Sequence, residues 1–197
     1  MFYSDLADRI ALESGGIPEI MLIQLIPICA NDYFTDTRLW RRRCRLKHRR
    51  CHCAFNQAMS EDEYVVRVER VETPDGVAVP AITRNSAPHS HSLSYTFSTN
   101  GIEIHGNEDD IPDYFDVEVS LAPSPLAEEM PDELDHHARR GITALVLARA
   151  YLTPNREWTN NDLGTFYLKQ YDQFVLDAKR LAQGGRANIN RECAFSW

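Results

Sequence analysis

Apolar positions recur with a helical period over the longest uninterrupted stretch of this chain, from Met130 to Gln183. Leu134, Ala138, Gly141, Leu145, Ala148 and Leu152 repeat at steps of three, four or seven and predict a helix from Pro131 to about Leu152. The small residues in this stripe allow another helix to approach closely. Pro154 stops the helix, and Asn160 or Asn161 caps the next one. The stripe of that last helix is Leu163, Tyr167, Tyr171, Phe174, Ala178 and Leu181, and Gly184-Gly185 ends it.

The same period marks the N-terminus. Phe2, Leu6, Ile10 and Ala11 fall near one face of a short helix ending at Gly15-Gly16, with Ser4 as a candidate cap. Pro18 suits the first turn of a second helix that runs to about Leu39 through Met21, Leu22, Leu25, Ile28, Cys29, Tyr33 and Phe34. Pro27 lies inside it and predicts a kink, because it removes a backbone donor.

Between these helical ends the period switches to two. Arg43 to Lys47 and Arg50 to Phe55 read as extended chain, and Tyr64 to Val71 reads as a strand. Pro74-Asp75-Gly76 has turn chemistry, so Val77 to Ile82 is expected to return as another strand. Tyr95 to His105 predicts a hairpin turning at Asn100-Gly101. In Tyr114 to Leu121, Phe115, Val117, Val119 and Leu121 share one face. The expected fold class is therefore α+β. N- and C-terminal helices, residues 1–42 and 122–185, form a helical bundle. A small antiparallel β region, 43–121, is inserted between them, and 186–197 form a C-terminal arm.

Charge changes this picture in one place. The net charge is −8, yet Arg38, Arg41, Arg42, Arg43, Arg45, Lys47, Arg49 and Arg50 lie together with no acid among them. From Asn85 to Ala138 there is no Lys or Arg. The basic and acidic stretches can pair within the chain or between copies of it. Clustered arginine also gives phosphate affinity without reading sequence, but no recognition motif accompanies it and the chain is acidic. Dedicated DNA binding is therefore not expected.

Candidate chemistry is sparse. Cys44, His48, Cys51, His52 and Cys53 are the densest set of soft ligands, but a zinc site usually needs two spaced pairs and the second is missing. A basic strand with incidental cysteines is the expectation, and the five cysteines are read as free thiols. His136-His137 stand beside Asp132, Glu133 and Asp135, but neighbours in a helix do not face each other, and acids in a first turn favour the helix dipole. His89-Ser90-His91 lie in a Ser-rich loop with no placed nucleophile or acid. No catalytic residue, metal or cofactor is predicted. No apolar run reaches the roughly 20 residues of a membrane span, and the N-terminus lacks a secretion pattern. The reading is a soluble intracellular product.

Both ends of the chain resemble one family. The stretch from Asp5 to Arg41 contains a short helix, a Gly/Pro break and a second helix ending in Phe34, Thr35, Asp36, Thr37, Leu39, Trp40 and Arg41. It resembles the opening of the head-to-tail connector (adaptor) proteins of tailed bacteriophages. Leu121 to Gly185 resembles the closing helix pair of that family. The residues carrying this are Pro131, Gly141, Ala144, Leu145, the Pro154 to Trp158 connection, Tyr167, Phe174 and Ala178. The likeness covers about half the chain, and the Arg/Cys run at 41–53 is not part of it.

The resemblance implies a non-enzymatic virion protein, assembled in the host cytoplasm and located at the head-tail junction. Such proteins form a homo-oligomeric ring, commonly of twelve copies, beneath the portal protein. The ring extends the DNA channel, lets the genome pass without sequence-specific binding, and offers a docking surface to a tail or nozzle protein. It implies subunit packing through Trp40, Trp158, Tyr167, Tyr171 and Phe174, and a portal clasp in the arm through Ile189, Arg191, Ala194, Phe195 and Trp197. Arg41, Arg42, Arg43, Arg45, Arg49 and Arg50 form the basic segment whose role the resemblance leaves open. A tail-completion or terminator protein is the alternative in the same setting. A Cys/His metal-dependent or nucleic-acid-processing protein is the alternative of another class.

Overall fold

The computed structural model describes residues 2–14, 16–48, 52–82, 93–98 and 100–184 of the chain. The fold is α+β, with four helices and two small antiparallel sheets. The contacts divide the described residues into two units. One holds 2–40 and 121–184, the other 41–120.

The first unit is helical. It contains α1 (Tyr3–Ser14), α2 (Glu19–Thr37), α3 (Asp132–Leu152) and α4 (Asn161–Gln183). The central element is α3. From Gly141 to Tyr151 only Thr143 and Arg149 escape burial, so the expected one-sided stripe is in fact a helix covered almost all round. α2 comes close at Gly141: a Cβ there would lie 2.2 Å from the Tyr33 ring. α2 runs unbroken from Glu19 to Thr37 through Pro27 and ends at Arg38 in the left-handed conformation. The N-terminus of α1 is pinned by the Tyr3 N–H, which donates to Glu128 O at 3.0 Å. The Asn160 side chain caps α4 by accepting from the Leu163 N–H at 3.1 Å.

The face that α4 buries is rotated from the expected one. Gly164, Tyr171, Val175, Ala178 and Ala182 are buried. Tyr167, Phe174 and Leu181 are only half-buried, and Leu163 is exposed. Tyr171 and Ala178 of the expected stripe lie in the contact, whereas Tyr167 and Phe174 flank it.

The second unit carries two three-stranded sheets. One has the order β1 (Arg41–Lys47), β6 (Tyr114–Pro123), β3 (Glu63–Glu72). The other has the order β2 (His52–Ala54), β5 (Gly101–His105), β4 (Ser94–Ser98). The alternation of β6 is realised in full: Phe115, Val117, Val119 and Leu121 are all completely buried.

Two expectations fail here. Val77 to Ile82 makes only isolated bridges, Glu72 with Ala78 and Ala81 with Tyr95. Pro80 has no N–H to donate, so a ladder cannot propagate through it. Gly101 does not sit at the tip of the hairpin. It is the first residue of β5, paired with both Ser98 and Ala54, and its φ is not positive. Its role is close approach: a Cβ at Gly101 would lie 2.2 Å from the Cys53 carbonyl oxygen on β2. Among the described residues no helix is long and apolar enough to cross a membrane.

Candidate functional site

The four arginines of β1 meet carboxylates in the folded unit. β1 runs antiparallel to β6, with Arg43 opposite Glu118 and Arg45 opposite Asp116. This register places guanidinium groups among the carboxylates of β6 and β3. Arg42 makes a two-pronged pair with Glu63, whose Oε1 also accepts from the Ser60 N–H at 2.9 Å. The two side chains of that pair are 12% and 4% exposed, so the pair is largely removed from water. Arg43 pairs with Glu72 at 2.8 Å, and Arg45 with Asp116 at 3.0 Å while its guanidinium lies 4.2 Å from the Tyr114 ring centre. Arg41 lies 3.6 Å from Glu118. Thus Arg41, Arg42, Arg43 and Arg45 are all matched by acids of the same unit. Arg49 and Arg50 lie outside the described residues.

The soft ligands of this segment are dispersed. Cys44 is buried on β1, its thiol 3.5 Å from Val117 O, whereas Cys53 is buried on β2 in the other sheet. His52 is exposed, and Cys51 lies outside the described residues. Cys29, Cys44 and Cys53 are free and buried. Among the described residues no group of three or more His, Cys, Asp or Glu side chains is placed to hold a metal ion. The exposed His136 and His137 rings do touch, edge to face at 5.3 Å, contrary to the sequence expectation for helix neighbours. His89, Ser90 and His91 lie outside the described residues.

In the helical unit, a polar lock ties α2 to α3 and α4. Arg149 reaches Asp32 at 2.5 Å and the Cys29 sulfur at 3.7 Å. The Tyr171 hydroxyl donates to Asp36 at 2.7 Å, and the Tyr33 hydroxyl donates to His137 O at 3.2 Å. Burial pushes the Cys29 thiol up to about 12, with Arg149 opposing the shift and Asp32 adding to it. Burial also raises the Tyr33 and Tyr171 phenols, and for Tyr171 the bond to Asp36 adds to the rise. These groups stay neutral and hold the helices together.

Of the residues expected at subunit contacts, Trp40 and Tyr171 are each only 7% exposed and pack inside the unit, Trp40 against Phe34 at 5.7 Å and Tyr171 near Tyr33 at 6.3 Å. They are internal core and cannot also face a neighbour. Trp158 is half-buried in the connection between α3 and α4, with Arg156 5.9 Å from its ring centre. Tyr167 and Phe174 are the two that remain available. They form one wall of a groove of about 340 Å³ between α1 and α4. Its floor is Leu6, Ile10, Ala144 and Leu147, and its rim carries Arg9, Glu13, Arg139 and Arg140. Arg139 pairs with Asp135 one turn earlier in α3. Among the described residues Arg9 and Arg140 have no ion-pair partner.

Sequence patterning missed a second feature, the apolar side chains left on the outside. Ile20, Ile23 and Ile28 of α2, and Leu163, Phe166, Leu168 and Leu176 of α4, are exposed. The signal was present: α2 is apolar nearly all round, which a one-sided surface helix does not need. Ile189, Arg191, Ala194, Phe195 and Trp197 lie outside the described residues. No protein-family model matches the chain, and no curated protein matches it.

Proposed function

We propose that this chain is a structural virion protein: a head-to-tail adaptor that forms a ring between portal and tail, extends the DNA channel and offers the tail its docking surface. The observation that carries the reading is the double-sided apolar character of the helical unit. α2 and α4 bury one face inside the unit and leave Ile20, Ile23, Phe166 and Leu176 on another. Outward apolar side chains in this number fit a surface that another subunit covers. The resemblance of both chain ends to the adaptor family supplies the biological setting. The internal pairing of Arg41, Arg42, Arg43 and Arg45 supports it too, because neutralised arginines would not hold a passing phosphate backbone.

The test is electron microscopy of the purified protein with and without portal, together with a variant lacking residues 187–197. The full chain is expected to form rings that bind portal. The truncated chain is expected to keep its circular dichroism spectrum and lose portal binding. Full-length protein that forms no ring in either condition overturns the reading. A truncation that still binds portal removes the clasp and leaves the ring.

A further inference from the structure

A rigid apolar knob stands where α1 meets the approach to α3. The Ala127 N–H donates to Ser124 O at 2.9 Å, and the Leu126 N–H to Ser124 Oγ at 3.3 Å. The following residues are tied to α1 by the Tyr3 N–H bond to Glu128 O and by an antiparallel bridge between Phe2 and Glu129. The turn therefore has a fixed shape, yet the Leu126 it presents is 87% exposed. A leucine held in water by a well-bonded turn gains nothing within its own unit. Beside it stand Glu128 and Glu129, both exposed and without an ion-pair partner among the described residues.

The groove between α1 and α4 has the opposite character. Its floor is apolar, Thr143 and Gln170 stand beside the Tyr167 and Phe174 rings, and the rim carries Arg9 and Arg140, which have no ion-pair partner among the described residues, together with Glu13. Leu126 is not among the residues that line it, so in a single copy the knob stands outside and the groove is open. The two match in shape and in the sign of their charge: a leucine projection against a recess with an apolar floor, and Glu128 and Glu129 against a rim on which Arg9, Arg139 and Arg140 outnumber Glu13.

We propose that the groove of one copy receives the Leu126 knob of a second copy, with Glu128 and Glu129 facing Arg9 and Arg140. The contact rests on the reading of the chain as a ring subunit and supplies its joint. It is head-to-tail: each new copy brings one knob and one groove and leaves one of each open. Such a contact repeats until the rotation closes it.

Site-directed cross-linking tests it on the full chain, in a background where Cys51 and Cys193 are replaced by serine. Leu126→Cys and Gln170→Cys proteins, the second cysteine being in the groove, are mixed and mildly oxidised. Their folding is checked by circular dichroism. A mixed disulfide dimer is expected, and it should be absent when Leu176→Cys, on the other side of α4, replaces Gln170→Cys. Adding Glu128→Arg and Glu129→Arg to the knob copy should lower the yield at least about tenfold. Arg9→Glu and Arg140→Glu in the groove copy should restore it. No mixed dimer, equal yield with Leu176→Cys, or charge reversal without effect would each overturn the contact. Rings that form in microscopy without this cross-link dismiss the joint and keep the adaptor reading. Absence of rings even with portal dismisses the adaptor reading.

Discussion

Replacing Gly141 with alanine puts one methyl group against the most crowded point of the helical unit. The added Cβ would lie 2.2 Å from Tyr33 Cε2, 2.8 Å from Cδ2 and 2.9 Å from Cζ, whereas carbon atoms pack best at about 3.5–4.0 Å. The ring has nowhere to retreat. Tyr33 is fully buried, makes edge contacts with Phe34 at 5.6 Å and Tyr171 at 6.3 Å, and its hydroxyl is bound to His137 O. Against a ring that cannot move, a contact this short falls in the upper part of the usual overpacking cost, about 2–3 kcal/mol. Alanine recovers about 1 kcal/mol through its better helix propensity. The net expectation is a loss of about 1–2 kcal/mol, seen as a urea midpoint lowered by roughly 0.5–1 M at an m-value of about 2 kcal/mol/M. A double-mutant cycle with Tyr33→Leu isolates the cause, because the clash disappears once the ring is gone; a coupling of at least about 1 kcal/mol is expected. If Gly141→Ala matches wild-type stability, or costs the same without the ring, the close α2–α3 approach is not what glycine serves there.

Gly164→Ala is the counterpart. Its Cβ would meet Leu152 Cγ at 2.6 Å and Cδ2 at 2.8 Å, on an exposed side chain free to turn away, and Ala148 O only at an ordinary 3.4 Å, so stability should stay level or rise by a few tenths of a kcal/mol in the same assay. In the β unit, Arg42→Ala strands the buried Glu63 carboxylate and should cost about 2–4 kcal/mol in thermal unfolding, whereas Arg45→Ala, at an exposed pair, should cost under about 1 kcal/mol; equal losses would refute the distinction. Stability should fall as pH rises above about 9. The unfolded Cys29 thiol then loses its proton while the folded one keeps it up to about 12, and Tyr33 and Tyr171 add to the fall from about 10 upward, each by about 1.4 kcal/mol per pH unit. A urea midpoint unchanged between pH 8 and 11 would contradict this. Because all three are buried, Cys29, Cys44 and Cys53 should resist a thiol reagent at pH 8 and react once the protein is denatured.

What could be read from the sequence followed from how local each signal is. The β6 alternation at Phe115, Val117, Val119 and Leu121 needs only a period of two, and it is realised side chain by side chain. The Asn160 cap needs only its own turn. Features set by a distant partner were hidden. Gly101 looked like a turn residue because Asn precedes it, but β2 decides its role through the Cys53 carbonyl. The sequence left open whether the arginines of β1 pair within the chain or between copies, because Glu63, Glu72 and Asp116 are far away in sequence and meet them only through strand register. The rotation of α4 was hidden because Tyr167 and Phe174 outweigh Gly164 and Val175 in any hydrophobic pattern, while the small residues are the ones that let α3 come close. The Arg-rimmed groove was invisible for the same reason: α1, α3 and α4 each supply part of it.

The Leu121 N–H donates to Trp40 O at 2.8 Å. The chain therefore leaves the helical unit and returns to it through hydrogen-bonded neighbours, with residues 41–120 strung between them. This bears on the order of folding. If α2 had to find α3 while that segment was still loose, closing a loop of this length would cost about 4 kcal/mol of chain entropy. If β1 and β6 zip first, Trp40 and Leu121 arrive already side by side, and the helices meet as though joined by a tight turn. The strand pair then acts as the clasp that makes two distant ends of the sequence local to each other. Loosening its register should slow assembly of the helices before it weakens them.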